Sequence, residues 1–205
     1  TGRGALTAVA ADLDNDGFKE IIVGTDYGLN VFYYDGQPLP GFPALDGVDS
    51  RCVPAVYDID RDGRKEIIVT NEEGIYVFND DGSIVPGWPR SCPTGFQAYG
   101  YPTPVVTQFS PEQDSVIAII DDNGDIYAYK FDGSSYFYSL EGYFASFNQQ
   151  PSTSFYYGGN AVTSADLLGN GTNEVIVTYS SNIPYTGVGL FESRNGLPAF
   201  DMHQT

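Results

Sequence analysis

The chain has 205 residues, and its 9 Lys and Arg against 27 Asp and Glu give a formal net charge of −18 at pH 7. So few basic residues argue against nucleic acids and anionic membrane surfaces as partners, and no apolar run is long enough to span a membrane. With 15% aromatic residues, 24 Gly and 13 Pro, the composition favours strands joined by tight turns, while the acidic excess indicates either a solvated surface or a store of metal ligands.

An internal repeat begins near the start of the chain. A shift of 46 residues places residues 8–43 over residues 54–89 without a gap. Each copy contains a short β-branched run, Ile21–Gly24 or Ile67–Thr70, which favours a strand buried on both faces. An Asp-Gly pair follows later in each copy and is a strong hairpin signal. Each copy therefore predicts four short antiparallel strands.

Two further copies follow in the same order of strand and turn. The third is degenerate and keeps the runs Ile117–Ile120 and Ile126–Tyr129, while the fourth keeps Glu174–Tyr179 and Gly187–Phe191. Four strands in about 45–50 residues is the size of one propeller blade. The sequence therefore predicts an all-β chain, forming one β-propeller domain or segment over residues 1–205. The four predicted four-stranded antiparallel blades span approximately residues 5–46, 51–95, 101–142 and 158–205.

The acidic loop of the first copy alternates carboxylates at its first, third and fifth positions, beginning with Asp12. Gly17, at the sixth position, permits the positive φ that wraps a loop around an ion, and Glu20 follows at the ninth. Alternate side chains in a tight loop converge on one point, where the carbonyl of the seventh residue adds an oxygen. Such an all-oxygen shell selects Ca²⁺, because Mg²⁺ demands a stricter octahedron.

An EF-hand loop opens in the same way and has to be excluded. It requires a bidentate Glu at its twelfth position and a helix on each side. The twelfth position here is Val23 in the first copy and Val69 in the second, and both lie inside β-type runs. The helical interpretation therefore fails in both copies.

These loops and strands resemble the FG-GAP family, also called VCBS or integrin-α-like repeats. Its Asp-x-Asp-x-Asp-Gly-x-x-Asp/Glu loops bind Ca²⁺ between the first two strands of a blade. The resemblance covers nearly the whole chain and is closest in the first two copies. It implies an extracellular β-propeller used for adhesion or as a scaffold. Four copies fit either a complete small propeller or part of a larger one.

The family pattern assigns metal ligands residue by residue. The first loop supplies Asp12, Asp14, Asp16, the Phe18 carbonyl and Glu20. The second loop supplies Asp58, Asp60, Asp62, the Arg64 carbonyl and Glu66. The fourth loop offers a weaker third site because Leu168 replaces the second Asp; its ligands are Asp166, Asn170, the Thr172 carbonyl and Glu174. The third copy carries no such set, and we expect no metal there.

Two cysteines flank the second copy. Cys52 precedes its first strand and Cys92 follows its last. An even count in an acidic, Tyr-rich chain suits an oxidising compartment, and a bridge closing this loop would stabilise the fold by about 3–4 kcal/mol. We therefore predict a Cys52–Cys92 disulfide in a secreted or cell-surface protein, with two buried free thiols as the alternative.

The connection between the third and fourth copies is long and aromatic. By resemblance it lies on the face opposite the calcium loops, where ligands of the family dock, and Tyr among Ser, Asn and Gln is typical of adaptable binding surfaces. The alternative is that about half of these rings pack between blades. The predicted ligand surface contains Tyr136, Tyr138, Tyr143, Tyr156, Tyr157 and, from a second long loop, Tyr185.

The sequence favours a non-enzymatic calcium-binding module for adhesion, ligand binding or structural assembly. Its expected partners are a protein, a glycan or further copies of the chain. The rival hypothesis is an enzyme like the polysaccharide lyases that use a calcium-rich propeller. No catalytic residue is predicted, because the single histidine, His203, has no visible partner in the sequence. A central funnel lined by charged side chains would favour the lyase, and an apolar one the scaffold.

Overall fold

The computed structural model describes residues 8–47, 49–50, 52–91, 102–109, 114–120, 125–136, 143–146, 162–169, 171–180, 186–194 and 197–204. Every regular element within these ranges is a β-strand, so the prediction of an all-β chain is confirmed. None of the described residues forms a helix with the length and apolarity needed to cross a bilayer.

The strands form four antiparallel sheets, and each sheet comes from one copy of the repeat. Sheet 1 contains β1 (Ala8–Ala11), β2 (Glu20–Thr25) and β3 (Gly28–Phe32). Sheet 2 contains β4 (Ala55–Tyr57), β5 (Glu66–Asn71), β6 (Gly74–Phe78) and β7 (Arg90–Ser91). Sheet 3 contains β8 (Val105–Thr107), β9 (Val116–Ile120), β10 (Asp125–Tyr129) and β11 (Tyr143–Ser146). Sheet 4 contains β12 (Val162–Ala165), β13 (Glu174–Ser180), β14 (Thr186–Arg194) and β15 (Leu197–Gln204).

Sheet 1 departs from the prediction because its described part has three strands instead of four. Where a fourth strand was expected, Ala44 and Leu29 exchange two backbone hydrogen bonds of 2.8 and 2.9 Å as an isolated bridge. Prolines at the same repeat positions precede β7 in sheet 2, so they do not explain the difference. Leu45 has a φ of 56°, outside the extended region, whereas its counterpart Ser91 pairs with Gly74 in β7. The ladder of sheet 1 therefore stops at Ala44.

The second and third strands of sheets 1 and 2 are joined by tight turns that require glycine. Gly28 and Gly74 close these turns with φ of 127° and 153°. A Cβ on Gly74 would lie 2.1 Å from the Arg90 carbonyl oxygen, and one on Gly28 would lie 2.7 Å from that of Ala44. Both glycines are thus fixed by the left-handed backbone and by the chain that passes beside it.

Apolar side chains fill the spaces between consecutive sheets. Because successive residues of a strand point to opposite faces, Ile67 packs towards sheet 1 while Ile68 packs towards sheet 3. All six residues of β5 are buried, whereas β2 alternates between buried and half-buried residues. A third cluster joins sheets 3 and 4 through residues such as Ile126 and Val175. The sheets therefore pack face to face in chain order.

The first strands of successive sheets lie side by side, β4 next to β8 and β8 next to β12. The hydroxyl groups of Thr107 in β8 and Ser164 in β12 hydrogen bond to each other. Each first strand leads into the loop that carries the acidic residues. We name these segments loop 1 (12–20), loop 2 (58–66), loop 3 (108–116) and loop 4 (166–174). Contacts between their backbones, described below, bring neighbouring loops together at one end of the stack.

Candidate metal centre

Loops 1, 2 and 4 share one backbone conformation. Their fourth positions have φ of 63° at Asn15, 64° at Arg61 and 66° at Gly169. Their sixth positions are glycines with φ of 93° at Gly17, 96° at Gly63 and 80° at Gly171. Two left-handed residues in every loop, one of them always Gly, turn the chain tightly enough to bring alternate side chains together.

The aspartates hold the loops closed by accepting hydrogen bonds from backbone N–H groups. The sixth residue donates to the first Asp in each case: Gly17 to Asp12 at 3.1 Å, Gly63 to Asp58 at 3.1 Å and Gly171 to Asp166 at 2.9 Å. The fifth Asp accepts at 2.8 Å from the seventh residue, Phe18 in loop 1 and Arg64 in loop 2. The aspartates therefore both shape the loop and face its interior.

The glutamate at the ninth position anchors each loop from the start of the second strand. Glu20, Glu66 and Glu174 are 2%, 3% and 1% exposed. Their Oε2 atoms accept the N–H of the second loop residue: Leu13 at 2.8 Å, Ile59 at 2.9 Å and Leu167 at 2.8 Å. The sequence pattern predicted these glutamates as metal ligands, and their contact with the backbone was not predicted. The apolar residue at the second position of each loop, Leu13, Ile59 or Leu167, was the signal in the sequence.

The carboxylates come together at one point in the two complete loops. One oxygen each from Asp12, Asp14 and Glu20 lie within 4.8 Å of one another in loop 1. One oxygen each from Asp58, Asp60 and Asp62 do so in loop 2. Like charges held this close repel one another, and a cation lying among them would offset the repulsion.

Two buried carboxylate oxygens have no hydrogen-bond partner among the described residues. They are Asp58 Oδ1 in loop 2 and Glu174 Oε1 in loop 4. Burying a charged oxygen without a partner is costly unless a cation compensates it. In loop 2, burial together with the charges of Asp60, Asp62 and Asp58 raises the pKa of Glu66 to about 7. The donor set, all hard oxygens around an uncompensated negative charge, fits Ca²⁺.

The seventh position carries different side chains in the two complete loops. In loop 1, the ring of Phe18 stacks on Tyr34 with centroids 4.7 Å apart. The residues 46 positions later, Arg64 and Asp80, form a salt bridge instead. Phe18 and Tyr34 are 54% and 62% exposed, whereas the Asp80 side chain is 13% exposed and that of Arg64 51%. The loop backbone is the same in both cases, so the seventh side chain does not determine it.

Loop 4 keeps the hydrogen bonds that its first aspartate and its glutamate accept from the backbone, but it lacks part of the predicted ligand set. Asp166 and Glu174 occupy the same positions as their counterparts in loop 2. Thr172 is half-buried, while Leu168 is 57% exposed where loops 1 and 2 have Asp14 and Asp60. Asn170 lies outside the described residues. A weaker third site here, and the lack of one in loop 3, both stay predictions.

The cysteine prediction is not supported by the structure. Cys52 carries a free thiol, buried in the core between sheets 1 and 2, and its predicted partner Cys92 lies outside the described residues. The Cys52 sulfur accepts the Thr70 N–H at 3.2 Å, and burial raises the pKa of its thiol to about 11. The buried position of Cys52 fits the alternative of a free thiol. Peptide mapping without reduction tests the bridge.

The predicted tyrosine surface is described only at its first member and in one strand. Tyr136 is half-buried and packs on Phe109, with ring centroids 5.4 Å apart; burial raises the pKa of its phenol. This position fits the alternative of a ring packed against the sheets. Tyr143 begins β11. The other members, Tyr138, Tyr156, Tyr157 and Tyr185, lie outside the described residues, and the ligand surface stays a prediction.

Comparison with protein families gives one match. The sequence profile of FG-GAP-like repeats matches residues 12–69, from the first aspartate of loop 1 into β5. This range contains both complete acidic loops, and the resemblance seen in the sequence is confirmed there. No curated protein sequence matches the chain.

Solved structures resemble the chain at low sequence identity. One is a lectin from Agrocybe aegerita, described as recognising non-reducing terminal N-acetylglucosamine, with a TM-score of 0.57, 15% identity and coverage of 98% of this chain and 53% of the lectin. Another is BBS1N in complex with ARL6DN, with a TM-score of 0.44, 14% identity and coverage of 95% and 56%. The chain spans about half the length of these structures. The likeness to the lectin shows a β-propeller-like fold.

Proposed function

We propose that this chain is a calcium-binding β-propeller module of an extracellular protein, in which calcium stabilises the loops and another surface binds a partner. The observation that carries the proposal is the cluster in loop 2. Its three aspartates face one point, and Asp58 Oδ1 is buried without a partner among the described residues. A divalent cation would compensate that charge without adding bulk.

The residues that would hold calcium are the side chains of the first, third, fifth and ninth loop positions. In loop 2 these are Asp58, Asp60, Asp62 and Glu66, with the Arg64 carbonyl beside them. When bound, the ion supplies positive charge that offsets the repulsion among these carboxylates. The chain itself supplies the preorganisation, because each of the four side chains already accepts a hydrogen bond from a backbone N–H group. Preorganised ligands lower the entropic cost of binding.

Packing of the sheets supports the propeller part of the proposal. Four meanders packed face to face in chain order, with their first strands adjacent, are the arrangement from which a propeller is built. The FG-GAP-like match and the lectin fold point the same way. An extracellular location is proposed from the family resemblance.

We propose recognition as the activity, and a lyase-like enzyme as the rival. The first strands, which line the axis of a propeller, have the sequences AVAA, AVY, VVT and VTSA. These four strands contain no charged residue, whereas a lyase needs an acid, a base or a cation in its cleft. Partners of the proposed module are a glycan, a protein or further copies of the chain.

Calcium titration by isothermal titration calorimetry tests the metal. The wild type is expected to bind two Ca²⁺ tightly, and a variant with Asp58→Asn and Asp60→Asn is expected to bind one. A matched control, Asp46→Asn with Glu72→Gln, changes two exposed acidic residues outside loops 1 and 2 and leaves both loops intact. A wild type that binds no calcium at millimolar concentration refutes the proposal.

Binding screens against glycans and proteins, with calcium and with chelator, test the recognition role. Glycans ending in non-reducing N-acetylglucosamine are the first probes, since the lectin with the same fold recognises them. Replacing Tyr138, Tyr156, Tyr157 and Tyr185 with Ala is expected to abolish binding while calcium affinity is kept. Depolymerisation of an acidic polysaccharide by the calcium-loaded wild type would favour the lyase instead.

A further inference from the structure

Loops 1 and 2 touch each other, and one residue makes two of the contacts. The backbone N–H of Lys65 donates to the Leu13 carbonyl at 2.8 Å. The Nζ atom of the same residue donates to the Asp12 carbonyl at 2.5 Å. In sequence Lys65 lies between Arg64 and Glu66, both proposed ligands of loop 2. Lys65 therefore lies between two proposed ligands of loop 2 and hydrogen bonds to the first two residues of loop 1.

The contacts continue to the closing ligand of loop 1. Leu13 is buried, and its carbonyl accepts from Lys65 while its N–H donates to Glu20 at 2.8 Å. Asp12, whose carbonyl accepts from the ammonium group, accepts Gly17 N–H through its carboxylate at 3.1 Å. Lys65 thus contacts the peptide units on both sides of Leu13: the first follows Asp12 and donates its N–H to Glu20, and the second follows Leu13.

We infer that Lys65 is a positioning residue for the loop 1 site, and that through it an ion in loop 2 tightens calcium binding in loop 1. The inference rests on the proposed calcium binding. An ion in loop 2 fixes Arg64 and Glu66, and hence the residue between them. Loop 1 then loses less conformational freedom when it binds its own ion. Linkage makes the effect reciprocal, so an ion in loop 1 tightens binding in loop 2 by the same factor.

The contact between loops 3 and 4 shows that the lysine side chain is what distinguishes the contact between loops 1 and 2. Between loops 3 and 4 the eighth residue, Asn173, donates its N–H to the Gln108 carbonyl at 3.2 Å. A backbone contact is present there too, although its acceptor is the first loop residue and not the second. Asn173 has no ammonium group and Gln108 is not a carboxylate. Lys19 has the same eighth position in loop 1, yet its side chain is exposed and makes no hydrogen bond to another acidic loop among the described residues. Lys19→Met is therefore a matched control for Lys65→Met.

The test measures the coupling between the loops by calcium titration. All variants carry Asp166→Asn so that loop 4 does not contribute. Asp58→Asn with Asp60→Asn isolates loop 1, and Asp12→Asn with Asp14→Asn isolates loop 2. The coupling factor is the product of the two stepwise association constants of the parent divided by the product of the two single-loop constants. We expect a factor of roughly 5 to 10, within the usual range for coupled sites.

Lys65→Met is expected to reduce the coupling factor to about 1 and to weaken the isolated loop 1 site roughly threefold to tenfold. Loss of a positive charge alone would act in the opposite direction, since it favours calcium. Lys19→Met removes the same charge, so it is expected to leave the coupling factor unchanged and calcium affinity equal or slightly higher. Circular dichroism in chelator confirms that each variant is folded.

Two ions bound independently by the parent would overturn this inference and leave the proposed function intact. An unchanged coupling factor in Lys65→Met, or an equal loss in Lys19→Met, would overturn it as well. Absence of any calcium binding would overturn both the inference and the proposed function.

Discussion

Loops 2 and 4 have the same backbone and different ligand sets. In both, the sixth-position glycine donates to the first aspartate, at 3.1 and 2.9 Å, and the buried glutamate accepts the second N–H, at 2.9 and 2.8 Å. Loop 2 then has Asp60 where loop 4 has an exposed Leu168. The loop conformation therefore depends on its glycine, first aspartate and glutamate, while the third position is free to vary. The backbone conformation of the loop and its set of metal ligands are separable properties of this repeat.

Removing the glutamate is the strongest test of that separation. Glu66→Ala and Glu174→Ala each leave a backbone N–H without its acceptor, at a cost of about 1–3 kcal/mol in free energy of unfolding even in chelator. In calcium 100-fold above Kd, Glu66→Ala loses about 2.7 kcal/mol more, because a bound ion no longer stabilises the fold. Urea denaturation in chelator and in calcium measures both losses.

Glutamine variants and one surface variant serve as controls. Glu66→Gln and Glu174→Gln keep an amide oxygen that accepts the N–H, so in chelator they are expected to be nearly as stable as the parent. Glu72→Ala changes an exposed residue and is expected to leave stability unchanged. If Glu66→Gln lowers the free energy of unfolding in chelator as much as Glu66→Ala does, the charge of Glu66 and not its hydrogen bond maintains the loop conformation.

Completing the ligand set of loop 4 tests the other half of the comparison. Leu168→Asp places a carboxylate at the third position of a loop that already has the right backbone. We expect its calcium affinity to rise roughly tenfold or more, because ligand charge count is a main determinant of affinity in such loops. Leu167→Asp adds the same charge one position earlier and is the matched control. Equal gains in both variants would show a general electrostatic effect.

The response to pH should distinguish loop 2 with and without its ion. The folded pKa of Glu66 is raised to about 7 from 4.5, so between these values the folded state binds more protons than the unfolded state. In chelator, stability is therefore expected to fall as pH rises from about 4.5 to 7. In calcium the trend reverses, since calcium binds the ionised carboxylates.

Glu66→Gln is expected to remove most of the chelator trend, and melting temperatures across this pH range measure it. A trend that persists in full in Glu66→Gln would assign it to another group.

Much of the fold was predictable because the repeat is visible in the sequence. The alignment of Ile21–Val23 with Ile67–Val69 predicted strands, and β2 and β5 contain them. Spacing within the loop predicted that Asp58, Asp60 and Asp62 come together, as they do. These features are local, so sequence spacing is sufficient to reveal them.

Features that join separate parts of the chain were not predictable in this way. The two lysines at the eighth loop position look equivalent in sequence, but within the described part of the chain it is Lys65 whose ammonium group bonds a neighbouring acidic loop. Cys52 precedes β4, as the sequence predicted, but the packing of its side chain in the core between sheets 1 and 2 was not predicted. Both outcomes depend on which sheet packs against which, and the pattern within one repeat does not contain that information.

The smallest expected effect concerns the seventh position, where loops 1 and 2 differ most in side chain. Only the backbone carbonyl of this residue is a proposed ligand, and its N–H donates to the fifth aspartate at 2.8 Å in both loops. Phe18→Ala is therefore expected to leave calcium affinity unchanged. Arg64→Ala removes a cation that interacts with Asp14 and Asp62, so affinity is expected to rise, by about twofold or less in physiological salt because exposed charges are screened. Titrations at low and high salt measure the difference, which should shrink as salt increases. A marked loss of affinity in either variant would mean that the side chain helps to form the site, and the two loops would then no longer be equivalent.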